Sequence, residues 1–307
     1  MDGSRHGNGP RQTGPAGDPV TDRQARDLPL DAHVHTNLSP DSNVAIDDYA
    51  ASALQLGIAE IAITDHVDFE PGAPAFAFTT FEDRERIVRS AAEGWGPQGV
   101  QIRFGVELTY DRSWEADIRE HLARHDYDFT IGSVHDRVDS PYHPRRVAAW
   151  VEGRSLAEIV ALSFDEVAAA ARSGLFDAIG HIDGVKRYLF PHVRPAAFEA
   201  EPELYEPILH ALVESGTALE VNTSGLRYTI EESFPHPAIV ARFRELGGRA
   251  VTVGSDAHRL DQLGWGLADG YAIAAEAGFT DLTFRRGPSG RVAVSIPGTA
   301  NTEETTG

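Results

Sequence analysis

The amino-acid sequence predicts an α/β fold in which parallel strands alternate with helices and close into a barrel. Two observations lead to this prediction. Short apolar runs alternate with longer amphipathic stretches from residue 28 to residue 297, and an ionisable residue directly follows nearly every run. Side chains so far apart in the chain converge only where strands lie side by side and parallel. We therefore expect them at the carboxyl ends of the strands, where barrels of this kind place their chemistry.

The individual elements follow from hydrophobic periodicity. The apolar runs that predict seven strands are Leu28–Ala32, Ala59–Ile63, Ile102–Val106, Tyr127–Ser133, Ala178–Gly180, Ala218–Val221 and Ala250–Val253. The stretches between them predict helices at Ile46–Leu56, Phe81–Ala92, Trp114–His125, Ser155–Arg172, Pro202–Glu214 and Pro237–Leu246. Asp47 and Asp48 mark the start of the first helix, because acidic residues favour a helix amino terminus. Leu156, Ile159 and Val160 show the three-and-four spacing of a buried helical face.

One domain accounts for the length and composition. The chain has 307 residues, of which 41% are apolar and 24% are charged, enough for a substantial core. Residues 28–297 are predicted to form the barrel domain. Residues 1–27 and 298–307 have almost no apolar content, so both tails are expected to be disordered.

Composition excludes several classes of site and partner. The absence of cysteine removes disulfides, thiolate nucleophiles and cysteine-based zinc sites. A net charge of −20 opposes binding to nucleic acid or to an anionic membrane surface. With no apolar run near the roughly 20 residues of a membrane helix and no signal-peptide segment, we expect no membrane partner and a cytoplasmic location. The sequence leaves the oligomeric state open.

The residues at or just after the strand ends are of the types that bind metals. They are His33, His35, Asp41, His66, Glu107, His135, His181, Asp256 and His258. A single residue of this kind is usually a satisfied buried polar group or a helix cap. Six strand ends with the same feature favour a metal site instead, since buried charges that are neither paired nor metal-bound are costly. Imidazole and carboxylate ligands suit zinc, iron or manganese.

Other motifs give no comparable signal. Gly264-Trp265-Gly266 lacks the spacing and the preceding strand of a dinucleotide-binding loop, so no nucleotide cofactor is expected. The remaining histidines are interpreted as structural or solvated.

The order of these motifs resembles that of the polymerase-and-histidinol-phosphatase (PHP) superfamily. The shared motifs are His-x-His, Ile-Thr-Asp-His, an isolated Glu, Ser-Val-His, Gly-His and Gly-Ser-Asp-Ala-His, and they cover residues 28–297. The resemblance implies a distorted (β/α)7 barrel, similar to a TIM barrel. Ile179–Asp183 with Lys186 and Arg187, and Leu219–Arg227, are similar to the histidinol-phosphate phosphatase branch.

The resemblance also implies three divalent metal ions, each with its own ligands. His33, His35 and Asp256 would hold one ion together with a bridging Glu107. Glu107, His135 and His181 would hold a second ion, and Asp41, His66 and His258 a third. Some relatives carry histidine where Asp41 stands, which leaves the identity of the third metal open.

The expected activity is hydrolysis of a small phosphate monoester, most specifically L-histidinol phosphate, by a metal-bridging hydroxide. Arg187 and Arg227 follow strands five and six, where a guanidinium would bind phosphate, although a surface salt bridge is an equal alternative for both. The proton for the leaving alkoxide would come from Asp65, His181 or a metal-bound water.

Three alternatives stay open at this point. The first is another phosphoesterase of the same superfamily that acts on nucleotides or oligonucleotide ends. The second is a metal-dependent amidohydrolase, although such sites usually carry a bridging lysine, and only Lys186 follows a strand end here. The third is a non-catalytic module stabilised by metals, which would not require all nine ligands.

Overall fold

The computed structural model describes residues 28–135 and 139–299. The tail expected to be disordered at residues 1–27 lies outside these ranges, as does nearly all of the second expected tail. In the part of the chain described here, the strands are β1 Asp31–Val34, β2 Glu60–Ile63, β3 His66–Val67, β4 Gln101–Thr109, β5 Phe129–Ser133, β6 Ala178–Ile179, β7 Ala218–Asn222, β8 Val251–Gly254, β9 Asp281–Arg285 and β10 Arg291–Ser295.

Seven of these strands form one parallel sheet in the order β1-β2-β4-β5-β6-β7-β8, and the short β3 pairs with β4. The sheet curls until its first and last strands meet. There the backbone nitrogen of His35 donates to the carbonyl of Ala257 at 2.9 Å, and that of Asp256 donates to the carbonyl of His33 at 2.8 Å. The predicted α/β barrel is confirmed, and the segments that close it carry four of the predicted metal ligands.

Helices connect the strands of the sheet. Among the described residues they are α1 Ile46–Leu56, α2 Phe81–Trp95, α3 Glu115–Arg124, α4 Val147–Val151, α5 Leu156–Ser173, α6 Lys186–Leu189, α7 Pro195–Ala200, α8 Glu206–Ser215, α9 Pro237–Glu245 and α10 Leu267–Glu276. Each predicted helix has a counterpart here. The longest, α5, begins with a capping box in which Ser155 and Glu158 satisfy each other's backbone nitrogens, and it ends at Gly174 in a left-handed conformation. None of these helices combines the length and apolarity of a membrane span.

The sequence prediction missed the short elements β3, α4, α6 and α7, and it differs from the structure in three larger features. The first strand begins at Asp31 rather than Leu28, because its pairing with β2 runs from Asp31 to Val34 and Leu28 makes only an isolated bridge with Ile58. Helix α10 was not predicted. Its Gly270 weakens helix propensity, but a side chain there would collide with Val253, so close packing on the sheet requires glycine. The antiparallel hairpin β9–β10 was also missed, although β9 alternates buried and partly exposed residues.

The amino ends of the strands form a rim held together by ion pairs, which we call the amino-end rim. Its carboxylates stand at or just before strand starts and pair with arginines from helix α2, strand β4 and the hairpin. The pairs are Glu60 with Arg103 and Arg286, Asp128 with Arg89, and Asp177 with Arg285. These contacts fasten the hairpin to the bottom of the barrel and leave the opposite rim free.

Candidate metal centre

The opposite, carboxyl-end rim collects all nine predicted metal ligands in one cluster. Eight of them form overlapping groups whose ligand atoms lie within 4.8 Å of one another, and the ninth, His181, joins them through Glu107, 3.0 Å away. His33, His66 and Glu107 lie within strands β1, β3 and β4, near their carboxyl ends, and the other six follow a strand or lie in the loop behind it. Five of the nine, His33, His35, Glu107, His181 and Asp256, are buried. Parallel strands deliver these residues to one place because every strand ends at the same rim.

His33, His35, Glu107 and Asp256 form the deepest part of the cluster. The Nε2 atoms of His33 and His35 lie 3.0 Å apart, and each lies 3.4 Å from Oε2 of Glu107. Oδ1 of Asp256 is 3.7 Å from Nε2 of His33 and 3.4 Å from Nε2 of His35. Four ligand atoms therefore point at one small volume.

Glu107 also reaches a second group of ligands. Its other oxygen, Oε1, lies 3.3 Å from Nε2 of His135 and 3.0 Å from Nε2 of His181. Oε2 lies 2.9 Å from Nδ1 of His66. Because its two oxygens face different sets of imidazoles, Glu107 stands between two potential ion positions.

The remaining ligands lie on the solvent side. Oδ2 of Asp41 is 3.1 Å from Nε2 of both His66 and His258. The His35 ring stacks against the rings of His66 and His258, at centroid distances of 4.3 and 4.2 Å. Asp41 is the most exposed of the carboxylates, at 45% of its side chain, so this part of the cluster opens to solvent.

The charges of the cluster depend on one another. Burial would raise the pKa of Glu107, but His33 and His66 lower it well below its usual range. Burial would likewise lower the pKa of His66, yet Glu107 and Asp41 raise it to about 10. Burial, with His258 and His66 close by, lowers the pKa of His35 well below its usual range. In the absence of metal, protons on some imidazoles therefore neutralise the carboxylates.

The ligand spacing fits metal ions. In a tetrahedral zinc site with bonds of about 2.0–2.1 Å, ligand atoms lie about 3.3 Å apart. The separations in the deepest group scatter around that value. Among the described residues, the buried Oε2 of Glu107 and Nδ1 of His35 lack a hydrogen-bond partner of good geometry. A buried carboxylate oxygen without such a partner is costly, and a cation would remove that cost.

Two of the four non-glycine residues with positive φ in the described part of the chain lie in the cluster. His181 and Asp256 have positive φ angles of 25° and 53°, values that non-glycine residues rarely adopt. Such strain persists only where surrounding contacts enforce it, and it often marks a functional site. Here it turns two predicted ligands from their strand ends into the cluster.

Sequence reasoning assigned no role to Glu220 and Asn222 of β7. Both are buried and lie beside the ligands. Nδ1 of His33 is 2.6 Å from Oε1 of Glu220, and Nδ2 of Asn222 is 3.4 Å from Oδ2 of Asp256. The sequence feature that could have indicated them is a glutamate in the middle of an apolar strand, two residues before an asparagine.

The predicted phosphate-binding arginines differ in their contacts. Arg227 donates from Nη1 to the carbonyl of Ser255 at 2.7 Å and from Nη2 to that of Asp256 at 3.0 Å. Arg187 stacks on the ring of Tyr188 at 4.8 Å, and its buried Nε lacks a hydrogen-bond partner among the described residues. Arg227 thus braces the loop after β8, whereas Arg187 retains donor capacity.

The two residues considered as proton donors lie in different surroundings. Both oxygens of Asp65 accept hydrogen bonds from Thr36, one from its backbone nitrogen at 2.6 Å and one from its hydroxyl at 2.8 Å. These bonds fix the loop that follows His35. His181 faces Glu107 inside the cluster.

Similarity to characterised sequences agrees with this geometry. The PHP domain family model matches residues 31–224. A protein from Deinococcus radiodurans named probable histidinol-phosphatase is 30% identical over 257 residues, which cover 83% of this chain and 96% of that protein. A histidinol-phosphatase from Lactococcus lactis is 26% identical, with coverage of 82% and 93%.

A solved structure has the same fold. It is the histidinol phosphate phosphatase from Lactococcus lactis in complex with zinc, L-histidinol and phosphate. Its TM-score to this chain is 0.72 at 22% identity, and the match covers 84% of this chain and 97% of that one. The family match over residues 31–224, together with a 30% identical relative covered over 96% of its length, shows that this chain belongs to the PHP domain family.

Proposed function

We propose that this protein is a metal-dependent phosphomonoesterase that hydrolyses L-histidinol phosphate to L-histidinol and phosphate, a reaction of histidine biosynthesis. The observation that carries the proposal is the cluster of nine imidazole and carboxylate side chains, eight of them in groups with ligand atoms within 4.8 Å and the ninth, His181, 3.0 Å from Glu107. The relatives of nearly full length are named histidinol-phosphatases, which supports the substrate. The cytoplasmic location expected from the sequence stays a prediction.

Three divalent ions, of zinc, iron or manganese, are assigned to the cluster. His33, His35, Asp256 and Glu107 would hold the first ion. Glu107, His135 and His181 would hold the second, and Asp41, His66 and His258 the third. When bound, such ions supply a hydroxide nucleophile at neutral pH and neutralise the charge of the phosphoryl group. The related Lactococcus lactis structure contains zinc, which supports zinc among the three metals named here.

Metal charge also explains how an acidic protein attracts a phosphate ester. The chain has a net charge of −20, which repels anions. Three divalent ions would outweigh the three carboxylate ligands, so the rim would be locally positive. Nearby arginine adds to this field.

Arg187 and Arg227 are assigned to phosphate binding. Arg187 can donate to phosphate from its Nε, which lacks a hydrogen-bond partner among the described residues. It lies close enough to Asp256 for the two charges to interact, which places it at the edge of the cluster. Arg227 holds the backbone of the loop after β8, and thereby also positions Asp256. Guanidinium groups match phosphate oxygens in geometry and charge.

The donor of the leaving-group proton stays a choice between Asp65, whose two oxygens already accept hydrogen bonds from Thr36, and His181, whose Nε2 faces Glu107 and would carry no proton when bound to metal. Asp65→Asn separates the two. We expect it to lower stability and to keep most of kcat; loss of kcat in a variant that still folds and binds metal would assign the proton to Asp65.

A cavity beside the exposed ligands has the size for a small leaving group. Its volume is about 680 Å³, and Asp41, His258, Asn43 and Asp261 contribute to its wall. Sites for small molecules commonly measure about 300–1,000 Å³. Of the two carboxylates in the wall, Asp41 is assigned to a metal ion and Asp261 pairs with Arg259 at 3.1 Å, so the wall by itself does not distinguish an amino-alcohol phosphate from a nucleotide.

The structure also bears on the amidohydrolase alternative. Lys186 is the only lysine of the sequence, and it is buried in ion pairs with Asp183 and Glu232. It therefore does not lie between the predicted metal ligands, where such an enzyme would need it.

One assay series tests the proposed function. Purified protein reconstituted with zinc or manganese is given L-histidinol phosphate, nucleoside monophosphates and short oligonucleotides, and phosphate release is measured. We expect kcat/KM for L-histidinol phosphate to exceed the other values by at least about 100-fold, a difference of about 2.7 kcal/mol in transition-state binding. Equal or better turnover of a nucleotide would favour the alternative phosphoesterase.

A further inference from the structure

Strand β7 differs from its neighbours in the barrel. Strands β1, β4, β5, β6 and β8 and the short β3 each lead into at least one predicted metal ligand. No side chain of β7 belongs to the candidate ligand groups found among the described residues. In place of a ligand, β7 presents Glu220 and Asn222, both fully buried.

Glu220 contacts ligands on two other strands at once. Its Oε1 accepts a hydrogen bond from Nδ1 of His33 at 2.6 Å, since a carboxylate can only accept. Its Oε2 accepts one from the backbone nitrogen of His181 at 2.8 Å and another from Nδ2 of Asn222 at 3.0 Å. One carboxylate therefore ties the ligand of β1 to the ligand of β6.

Strand β8 makes room for this carboxylate. A Cβ atom on Gly254 of β8 would lie 2.9 Å from Oε1 of Glu220, and one on Gly180 would lie 3.4 Å from Oε2. Gly254 and Gly180 precede Asp256 and His181 in the chain. Glycine at position 254 therefore lets Glu220 sit directly behind the ligands, whereas a Cβ atom on Gly180 would collide with Oγ of Ser133, 2.4 Å away, and make only an ordinary contact with Glu220.

The contact with His33 has a chemical consequence. A ring nitrogen that donates to a carboxylate fixes the tautomer, so that the other nitrogen, Nε2, keeps its lone pair. Nε2 of His33 is the atom that faces His35, Glu107 and Asp256. The bond to the His181 backbone acts on geometry instead, because His181 has a strained positive φ that needs support.

We propose that Glu220 is a positioning residue of the metal centre, which orients His33 for the ion shared with His35, Asp256 and Glu107 and holds the backbone of His181. This inference rests on the metal centre of the proposed function and is independent of the substrate. Residues behind metal ligands typically contribute 10–100-fold to metal affinity.

The test compares Glu220→Gln with Glu60→Gln. Both replacements are isosteric and remove the charge of a buried glutamate in the sheet, but Glu60 lies at the amino-end rim. Zinc affinity is measured by competition with a chelator, and bound metal is counted by elemental analysis after dialysis. We expect Glu220→Gln to bind zinc 10–100-fold more weakly at one site and to lose one ion per chain. Glu60→Gln should keep the metal content of the wild type.

Kinetics add a second readout. In Glu220→Gln, kcat should fall with the loss of the ion while KM stays within about threefold, because the arginines assigned to phosphate are unchanged. Excess zinc should restore kcat.

Several results would overturn the inference. The first is a zinc affinity in Glu220→Gln equal to that of the wild type, and the second is equal metal loss in both variants. The third is a Glu220→Gln protein that stays unfolded at saturating zinc, because the residue would then be purely structural. If the wild type itself took up no metal, the proposed function would fail; if it bound metal and Glu220→Gln bound it equally, only the positioning role would fail.

Discussion

The two rims of the barrel both bury carboxylates at strand ends, but they neutralise them differently. At the amino-end rim, Glu60 pairs with Arg286 at 2.5 Å, and Asp177 pairs with Arg285 at 2.8 Å. At the carboxyl-end rim, Glu107 is surrounded by imidazoles, and one of its oxygens lacks a hydrogen-bond partner of good geometry.

The difference separates a structural role from a functional one. Arginine is charged at every physiological pH, so its pairs at the amino-end rim need no ligand to be neutral. Imidazole is a weak base whose neutral form binds metal, so the charge of the carboxyl-end rim changes when cations enter. A change at one rim should therefore leave the role of the other rim intact, and removal of metal should cause the largest loss of turnover.

Removal of metal should have the largest effect. Treatment with a chelator is expected to abolish phosphate release and to lower Tm, since a ligand at 100 times its Kd stabilises the folded protein by about 2.7 kcal/mol. Added zinc or manganese should restore both. Tm and phosphate release are measured before and after chelation. Unchanged activity in metal-free protein would show that the carboxyl-end rim does not depend on metal for its function.

Glu107→Gln should follow. The change removes the one carboxylate that faces both deep groups of ligands, so we expect loss of bound metal and a fall in kcat of more than about 100-fold, beyond the effect typical of residues behind the ligands. Elemental analysis and steady-state kinetics measure the two losses. A fully active variant would show that Glu107 does not hold metal.

Arg187→Ala tests an arginine at the carboxyl-end rim. Because its Nε has no hydrogen-bond partner among the described residues, we expect it to serve the substrate rather than the fold. Loss of a charge-assisted hydrogen bond should raise KM about 10-fold or more, with metal content unchanged. An unaltered KM would assign Arg187 to the fold, like the arginines of the opposite rim.

Arg286→Ala should have the smallest effect on turnover. It removes one of the two arginines on Glu60, so the free energy of unfolding should fall by about 2 kcal/mol while kcat/KM stays within twofold. Denaturant unfolding measures the first quantity and phosphate release the second. A large loss of activity at unchanged stability would show that the amino-end rim also contributes to turnover.

The sequence was sufficient for features that depend on neighbouring residues. Apolar runs predicted the strands of the barrel, because a strand buried on both faces reads as a continuous apolar segment. The histidines and acids were visible as candidates because they stand directly after those runs. The hairpin β9–β10 and helix α10 were missed. For the helix the reason is Gly270, which weakens the helical pattern and is explained only by its packing on Val253.

What only the tertiary structure decided is which side chains meet across the barrel. Glu220 bonds to His33, 187 residues away, and to the backbone of His181, 39 residues away, and no local pattern reports such pairs. The sequence by itself determined the class of fold, the ligand types and the rim on which they lie. The closed barrel determined the spacing of the ligands, the support behind them and the arginine pairs of the opposite rim, because these depend on register and packing between strands distant in the chain.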